Sequence, residues 1–294
     1  MELRVLNYFL TVAREENITK AAQSLHITQP TLSRQLMQLE EELNVKLFRR
    51  SNHRIYLTED GMILKRRAQE LLTLADKTKK DFLHKDEISG EIMIGTGEFR
   101  SSKCLAQMMK SFSAEFPRVQ FRMFSGNGED VRDNIERGIF DIGIVLEPVD
   151  LSRYEFVSIP EKERWGILTD ADSELAKKES VTPEDLADLP LITPTREFQE
   201  GKLGRWFGEY NARLNIVAAG NLLYNEAMLA QIGMGTVLCM DLQCSYENLC
   251  FVPLSPALEE NSVFIWKKDQ IFSPAVAAFI SHIKHCIEKK EEQA

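Results

Sequence analysis

The first sixty residues have the hydrophobic spacing of short amphipathic helices. Apolar residues recur at steps of three or four between residues 2 and 15, which predicts a buried helix. A second helix is predicted at 20–27 with Thr19 as its N-cap, and a third after Thr28, where Pro30 can occupy an early helical position. The third helix has one apolar face, made by Leu32, Leu36, Leu39 and Leu43. Two such helices joined by a short turn form a helix-turn-helix.

The outer face of the third helix has the side chains of a DNA-reading surface. Arg34 points away from the leucine face, between side chains that can hydrogen-bond to base edges in the major groove. Three glutamates at 40–42 would repel phosphates, so we expect contact in the first two turns. A solvated amphipathic helix would show the same pattern. The candidate DNA-binding residues are Gln29, Pro30, Thr31, Ser33, Arg34 and Gln38.

A basic hairpin is predicted directly after these helices. Residues 46–48 and 54–58 are β-prone and flank a polar turn at 51–52. Arg50 and Arg54 would hold the DNA backbone or minor groove from this wing. A basic surface loop is the alternative, and it is weaker here because the loop follows a helix-turn-helix.

One long helix is predicted from Thr58, a good N-cap, to about Leu83. Its apolar residues follow a heptad spacing, which favours pairing with a second subunit. Packing on its own head is the other interpretation, through Met62, Ile63 and Leu72. The dimerisation candidates are Leu64, Ala68, Leu71, Ala75 and Phe82.

From residue 90 onwards strand and helix patterns alternate, which predicts an α/β fold with largely parallel strands. Charged breaks near 161–163 and 267–269 suggest two crossings between two lobes. The strands are predicted at 91–95, 120–124, 141–145, 165–169, 189–193, 215–218, 236–240 and 263–266, and the helices at 103–116, 130–137, 202–213, 224–232 and 273–289. The predicted domains are 1–58, a linker helix and hinge at 59–89, and a body at 90–294, with lobe I at 90–161 and 267–294 and lobe II at 162–266.

A ligand site is expected in the cleft of such a fold, beyond the carboxyl ends of the strands. Arg196 would pair with an acidic ligand, whereas Glu98 and Glu147 would favour a cation or an amine, so the ligand's charge stays open. Each candidate could instead be part of a capped turn or a solvated loop. The candidates are Thr96, Glu98, Ser101, Ser102, Gly128, Glu147, Thr193, Pro194, Thr195, Arg196 and Asn225.

Charge changes this interpretation because it is unevenly distributed. The 294 residues carry a net charge of −9, yet residues 1–85 hold 15 basic and 11 acidic side chains, against 21 and 34 in the remainder. A locally basic head on an acidic body suits a nucleic-acid partner at one end. There is no apolar run of the length of a membrane helix and no secretory signal. We therefore expect a cytoplasmic protein.

Sequence motifs of enzymes are not evident. The chain lacks the G-x-S-x-G, H-E-x-x-H, P-loop and dinucleotide-binding patterns, so we expect no catalytic residues and no cofactor. His282, His285 and Cys286 could hold a metal, but a solvated helix face explains them better, and we expect no metal. Five cysteines without a C-x-x-C pair make a disulfide framework unlikely. Thiol sensing is disfavoured because Cys239 has a strand-like context, typical of a core residue.

The head resembles the DNA-binding domain of LysR-type transcriptional regulators. The matching positions are Phe9, Ala21, Ala22, Leu25, Gln29, Pro30, Leu32, Ser33, Leu39, Glu40, Leu47, Phe48, Arg50, Leu57, Thr58 and Gly61. Residues 17–19 and Asn44 depart from the family pattern, and Asn44 can still adopt a left-handed cap. Segments 138–146 and 219–239 match recurrent segments of the same family.

The resemblance implies a winged helix-turn-helix, a dimerising linker helix and a two-lobed effector-binding domain with the fold of periplasmic binding proteins. It implies a sequence-specific regulator whose DNA binding or bending responds to a small-molecule effector in the cleft. The implied partners are double-stranded DNA, the effector, further copies of the chain as a dimer or tetramer, and RNA polymerase. The alternative is a cytoplasmic small-molecule binding protein or enzyme that uses its head only for assembly. Arg34 and the arginine-bearing wing favour the regulator, because an assembly module needs neither.

Overall fold

The computed structural model describes residues 1–51, 54–83, 88–194 and 202–292. The chain divides into two compact units, Met1–Lys85 and Asp86–Ala294, and each is described by itself.

The first unit is a winged helix-turn-helix followed by a long helix. Its elements are α1 (Leu3–Glu15), α2 (Ile18–Ser24), α3 (Gln29–Leu43), β1 (Phe48–Ser51), β2 (Arg54–Leu57) and α4 (Glu59–Leu83). Thr28 caps α3 by accepting a hydrogen bond from the Thr31 N–H at 3.4 Å, and Asn44 ends it in the left-handed region with φ 53°. The core encloses Phe9 together with Leu32, Leu36 and Leu39 of α3, whereas Leu43, the last predicted residue of this face, is exposed. These caps and the rest of this face agree with the sequence prediction.

Two details of the first unit differ from the prediction. The cap of α2 is Asn17, whose side chain accepts a hydrogen bond from the Lys20 N–H at 3.0 Å, so the helix begins before Thr19. The first wing strand begins at Phe48 and not at residue 46. Glu40 accounts for this start, since its carboxylate accepts the N–H groups of Leu47 at 2.8 Å and Phe48 at 3.3 Å.

The α4 heptad positions do not all lie on a free face. Ala68 is fully buried against the head, with Leu64 and Leu72 packed at the same cluster, so Ala68 is a core residue and not a surface dimerisation residue. Conversely, Met62 and Ile63 are 57% and 59% exposed and do not pack on the head. Further exposed apolar residues of α4 are Leu71 and Leu74. Ala75 is half-buried, and the side chain of Phe82 lies outside the described part.

The second unit is an α/β structure of two lobes, as predicted. Its strands are β3 (Gly90–Thr96), β4 (Val119–Ser125), β5 (Ile142–Leu146), β6 (Tyr154–Asp170), β7 (Pro190–Pro194), β8 (Asn215–Gly220), β9 (Thr236–Met240), β10 (Leu249–Pro253) and β11 (Glu259–Lys267). Its α-helices are α5 (Ser102–Glu115), α6 (Gly128–Glu136), α7 (Pro183–Leu186), α8 (Lys202–Phe207), α9 (Leu223–Gln231) and α10 (Pro274–Glu291). Short 3-10 helices lie at Leu175–Lys177 and Gly208–Arg213.

One long strand runs through both lobes. The strand order is β4-β3-β5-β11-β6-β9-β7-β8, with β10 also paired to β6. The first part of β6, which has 17 residues, pairs with β11 in lobe I, and its last part pairs with β9 and β10 in lobe II. Parallel pairs β3–β4, β3–β5, β7–β8 and β7–β9 place several strand ends at the same edge of each lobe.

The return crossing occurs earlier than 267–269. Residues Val263–Trp266 of β11 pair with β5 and β6 and lie in the hydrophobic clusters of lobe I. The chain therefore leaves lobe II near 259–262, where β11 has a register shift between Asn261 and Val263. The second crossing was predicted from the charged residues 267–269, which is too late in the chain. These residues lie at the end of β11, and that end of the strand is already part of lobe I.

Candidate functional site

The exposed face of α3 carries most of the predicted DNA-binding residues. Arg34 is exposed, lies opposite the buried leucines and makes no hydrogen bond within the described ranges. Beside it, the Gln29 side chain donates to Ser33 Oγ at 2.7 Å, and the Thr28 and Thr31 hydroxyls are 2.8 Å apart. Pro30 is in the first turn, and Gln38 accepts from the Gln35 side chain at 3.1 Å. The face is pre-ordered by its own hydrogen bonds, and Arg34 projects from it as a free cation donor.

Glu40 has a structural function that the sequence did not indicate. Besides holding the start of the wing, its carboxylate pairs with Lys46 Nζ at 2.7 Å. Burial opposes ionisation, but these hydrogen bonds outweigh it and hold the pKa of Glu40 below its usual range. The acidic end of α3 therefore fixes the wing relative to the helix. The backbones of Arg50 and Arg54 lie in β1 and β2, while their side chains lie outside the described part.

A cavity of about 540 Å³ lies between the lobes of the second unit. This volume is within the range of small-molecule sites. The carboxyl ends of β4, β7, β8 and β9 reach it, as the ligand rule for α/β sheets requires. Its apolar wall includes Phe99, Leu146, Trp165, Leu223 and Met240.

Three of the predicted ligand residues line this cavity, namely Glu98, Gly128 and Pro194. Thr195 and Arg196 lie outside the described residues. The other six predicted residues are not part of its lining, and these are Thr96, Ser101, Ser102, Glu147, Thr193 and Asn225.

The physical reasons for these differences can be read from the hydrogen bonds. Thr96, Ser101 and Thr193 are buried below the cavity surface, and the Thr96 hydroxyl donates to the Gly97 carbonyl at 2.9 Å. Glu147 accepts from the Asn261 side chain at 3.1 Å, and its carbonyl accepts from Lys202 Nζ at 3.2 Å, so it joins the lobes.

The helix beginning at Ser102 is capped by a carboxylate from the crossing strand. Glu163 is fully buried and accepts the N–H groups of Arg100 at 2.7 Å and Ser101 at 3.0 Å. The Ser262 hydroxyl donates to the same carboxylate at 3.3 Å. The N–H groups of Arg100 and Ser101 are therefore already paired inside the protein.

Several lining residues were missed by sequence reasoning. Glu226 and Arg132 are the charged ones among them, together with Glu129. Arg132 lies on α6, and its Nε donates to the Gly128 carbonyl at 3.2 Å. The signal that could have found Glu226 is a glutamate in the first turn of a helix that follows a strand end.

Glu226 has the most unusual electrostatics in the cavity. It is 4% exposed, and its carboxyl has no hydrogen-bond partner in the part of the chain that the structure describes. Burial, and to a smaller extent the charge of Glu98, raise its pKa to about 7. Glu98 itself accepts the Leu223 N–H at 2.6 Å and thus lies at the start of α9.

The cysteines and the possible metal ligands of the described residues form no second site. All five cysteines are free, and burial raises the pKa of the Cys239 thiol, which favours its unreactive form. The described residues contain no group of three His, Cys, Asp or Glu side chains that could hold a metal. Within the same residues, no helix has the length and apolar character needed to cross a bilayer.

The two units define a DNA-binding protein with a ligand-sized cavity. The family model for the bacterial regulatory helix-turn-helix protein, lysR family, matches residues 3–62, and that for the LysR substrate binding domain matches residues 85–286. The chain therefore belongs to the LysR family of transcriptional regulators. It is a DNA-binding regulator and not an enzyme, so the assembly-head alternative is set aside.

Individual relatives agree with this assignment. The Hca operon transcriptional activator HcaR of Escherichia coli (strain K12) is 25% identical over 291 residues, which cover 97% of each chain. The HTH-type transcriptional regulator AlsR of Bacillus subtilis (strain 168) is 30% identical over 204 residues, which cover 67% of this chain and 65% of AlsR.

Solved structures share the fold. The crystal structure of CbnR, a LysR family transcriptional regulator, has a TM-score of 0.77 at 18% identity and covers 98% of this chain and 99% of CbnR. Full-length CbnR complexed with its target DNA gives a TM-score of 0.77 at 19% identity, with 97% and 100% coverage. The predicted fold class and family are thus confirmed.

Proposed function

We propose that α3 reads base edges in the major groove with Gln29, Thr31, Ser33 and Arg34, and that Pro30 shapes the start of this helix. Gln38 would extend the contact, and Arg50 and Arg54 would hold the backbone or minor groove from the wing. The observation that carries this proposal is the exposed Arg34, which has no partner among the described residues, on a face otherwise ordered by its own hydrogen bonds. An arginine in this position can bind guanine O6 and N7 with two hydrogen bonds.

The effector is proposed to bind in the cavity between the lobes and to change DNA binding through the relative arrangement of paired heads. This coupling requires that effector affinity differs between the two arrangements. Pairing through α4 is supported by the exposed Ile63, Leu71 and Leu74, which form an apolar stripe on one side of the helix. A dimer or a dimer of dimers would then bind two half-sites.

The first experiment selects genomic DNA fragments with the purified protein at near-physiological salt. Recovery of a few sites with dyad-related cores is expected. The Arg34→Ala variant should then lose about 1–3 kcal/mol on the selected site and much less on random DNA. The Met37→Ala variant, which changes an exposed side chain of the same helix, is the matched control. An equal loss on both DNAs would limit Arg34 to phosphate contact, and no sequence preference in the selection would refute the proposal.

RNA polymerase is proposed as a further partner of the DNA-bound protein. Transcription from a selected promoter with purified polymerase tests this. A change in transcript level that tracks promoter occupancy, together with polymerase retention on the protein–DNA complex, is expected. A change in transcript level without such retention would indicate that the protein acts through DNA geometry alone.

A further inference from the structure

The helix starts around the cavity are already occupied by the protein's own acceptors. The N–H groups of Arg100 and Ser101, directly before α5, donate to Glu163, and the Leu223 N–H at the start of α9 donates to Glu98. At the start of α6, the Asn127 side chain accepts the N–H groups of Glu129 at 3.0 Å and Asp130 at 2.9 Å. Helix N-termini are the usual places for an anionic ligand group. Here an anion would have to displace a bound side-chain acceptor at each described start.

Glu226, in contrast, is an acceptor that has no donor among the described residues. Its carboxyl lines the cavity, is almost completely removed from bulk solvent and has no donor in the described ranges. It lies against the backbone of Gly220, since a Cβ built on that glycine would be 2.5 Å from Glu226 Oε1. A buried carboxylate without a donor is costly, and a nearby second carboxylate increases that cost. A cation in the cavity would remove both costs at once.

We propose that the effector carries a protonated amino group that binds between Glu98 and Glu226. Its apolar part would pack against Phe99, Trp165 and Met240, which line the same cavity. The inference rests on the proposed function of the cavity as the effector site, and it names the chemical class of the effector.

The charged and titratable groups near Glu98 and Glu226 indicate which other functional group the ligand could carry besides its amine. Glu129 and Arg132 of α6 line the cavity, Cys239 of β9 lies near Glu226, Tyr246 lies near both Glu98 and Glu226, and Asp241 lies near Cys239. The pKa of Tyr246 is raised to about 12 and that of Cys239 is also raised, so both stay neutral at physiological pH. Arg132 is the one Arg or Lys among the described lining residues, and it would complement a carboxylate on the same ligand. An amine and an amino acid with the same apolar part should therefore be compared.

The pH dependence follows from the ionisation of Glu226. Its pKa of about 7 means that the carboxyl is mostly charged at pH 8 and mostly neutral at pH 6. A primary amine stays protonated at both values. If only the ionised carboxylate binds the amine, affinity should be about tenfold weaker at pH 6 than at pH 8.

The test measures binding of matched compounds to the full-length protein by calorimetry and thermal shift at pH 8. The probes are 2-phenylethylamine, phenylalanine, 2-phenylethanol and 3-phenylpropionate, and the corresponding hexylamine, hexanol and hexanoate. Binding of at least one amine-bearing compound is expected, with the alcohol and the carboxylate of the same body binding at least tenfold more weakly. Preferential binding of a carboxylate, or no binding by any amine-bearing probe, would overturn the inference.

Variants connect the binding to the two carboxylates. Glu226→Gln should weaken amine binding at least tenfold and abolish the difference between pH 6 and pH 8. The matched control is Glu209→Gln, which removes the same charge from an exposed site in the 3-10 helix and should leave affinity unchanged. Thermal unfolding of each variant at pH 5, without ligand, checks that the fold is retained.

The outcomes also separate this inference from the proposed function. A carboxylate probe that binds the cavity and alters the DNA footprint would refute the amine class while supporting an effector site. Failure of the DNA selection would refute the proposed function whatever binds in the cavity.

Discussion

The start of α5 and the start of α9 make an instructive comparison within one unit. A buried glutamate lies at each, Glu163 with no exposed surface and Glu226 with 4% exposed. Glu163 accepts two backbone N–H groups and a hydroxyl, whereas Glu226 accepts no hydrogen bond within the described residues. Burial is thus shared, and the number of donors differs. Glu163, whose carboxylate is hydrogen-bonded, is expected to stabilise the fold. Glu226, whose carboxylate is not, is expected to gain its partner from a bound ligand.

The largest expected effect is that of Glu163→Ala. The change leaves the N–H groups of Arg100 and Ser101 buried without an acceptor, and it should cost about 3 kcal/mol. For a unit of this size the loss corresponds to a fall in Tm of about 6–12 °C. Thermal unfolding followed by circular dichroism measures it, with Glu209→Ala as an exposed control. A fall of less than about 2 °C would mean that α5 does not depend on this cap.

Glu226→Gln should raise the free energy of unfolding at high pH, whereas Glu163→Ala lowers it. The carboxyl's pKa rises from 4.5 to about 7 on folding, so its favourable protonated form is fully present below pH 4.5. That stability is lost between pH 4.5 and pH 7, because the unfolded chain ionises in this range while the folded carboxyl stays protonated, and the loss is complete once the pH has passed 7. The variant should therefore be up to about 3 kcal/mol more stable than the parent at pH 8.

The same variant should differ from the parent by less than about 1 kcal/mol at pH 5, where the folded Glu226 is protonated. Tm measured at pH 5 and pH 8 for both proteins gives the comparison. A stability difference that is the same at both values would show that the charge of Glu226 is compensated in the folded protein.

Gly220→Ala tests the difference between Glu226 and Glu163, because the added methyl group would contact only Glu226. The new Cβ would lie 2.5 Å from Glu226 Oε1, so the carboxyl must move, at a cost of about 1–2 kcal/mol. In a Glu226→Ala background most of this cost should disappear. A double-mutant cycle in Tm measures the coupling, and additive effects would mean that another neighbour opposes the new methyl group.

The smallest effect concerns a neutral cap in the head. Thr28→Ala removes the hydroxyl that caps α3 and should cost about 1 kcal/mol, less than the loss of the charged cap at α5. Thr28→Ser keeps the hydroxyl and should retain most of the stability. Thermal unfolding of the full chain measures both. Equal destabilisation by Ala and Ser would assign the loss to the methyl group.

Local patterns made the head predictable, whereas the cavity depended on contacts between distant residues. The leucine spacing, Thr28 and Asn44 each act within one or two turns, so the sequence indicated α3 and both its ends. Glu163 contacts residues more than sixty positions away, and Glu98 contacts the N–H of Leu223 across 125 positions. No spacing rule connects such pairs, which is why Glu226 was missed and Ser101 was misassigned. The heptad spacing of α4 has a related limit, because it cannot distinguish contact with a partner subunit from contact with the helix's own head. Ala68, predicted at a dimer contact, packs on the head.

The register shift in β11 has a mechanical consequence for the cavity. The same strand pair belongs to both lobes, since β6 is continuous and β11 pairs with it on either side of the register shift at 261–263. A bulge bends and twists a strand pair locally while the flanking hydrogen bonds stay made. We therefore expect a relative movement of the two lobes to twist this strand pair at residues 261–263 while its flanking hydrogen bonds are kept.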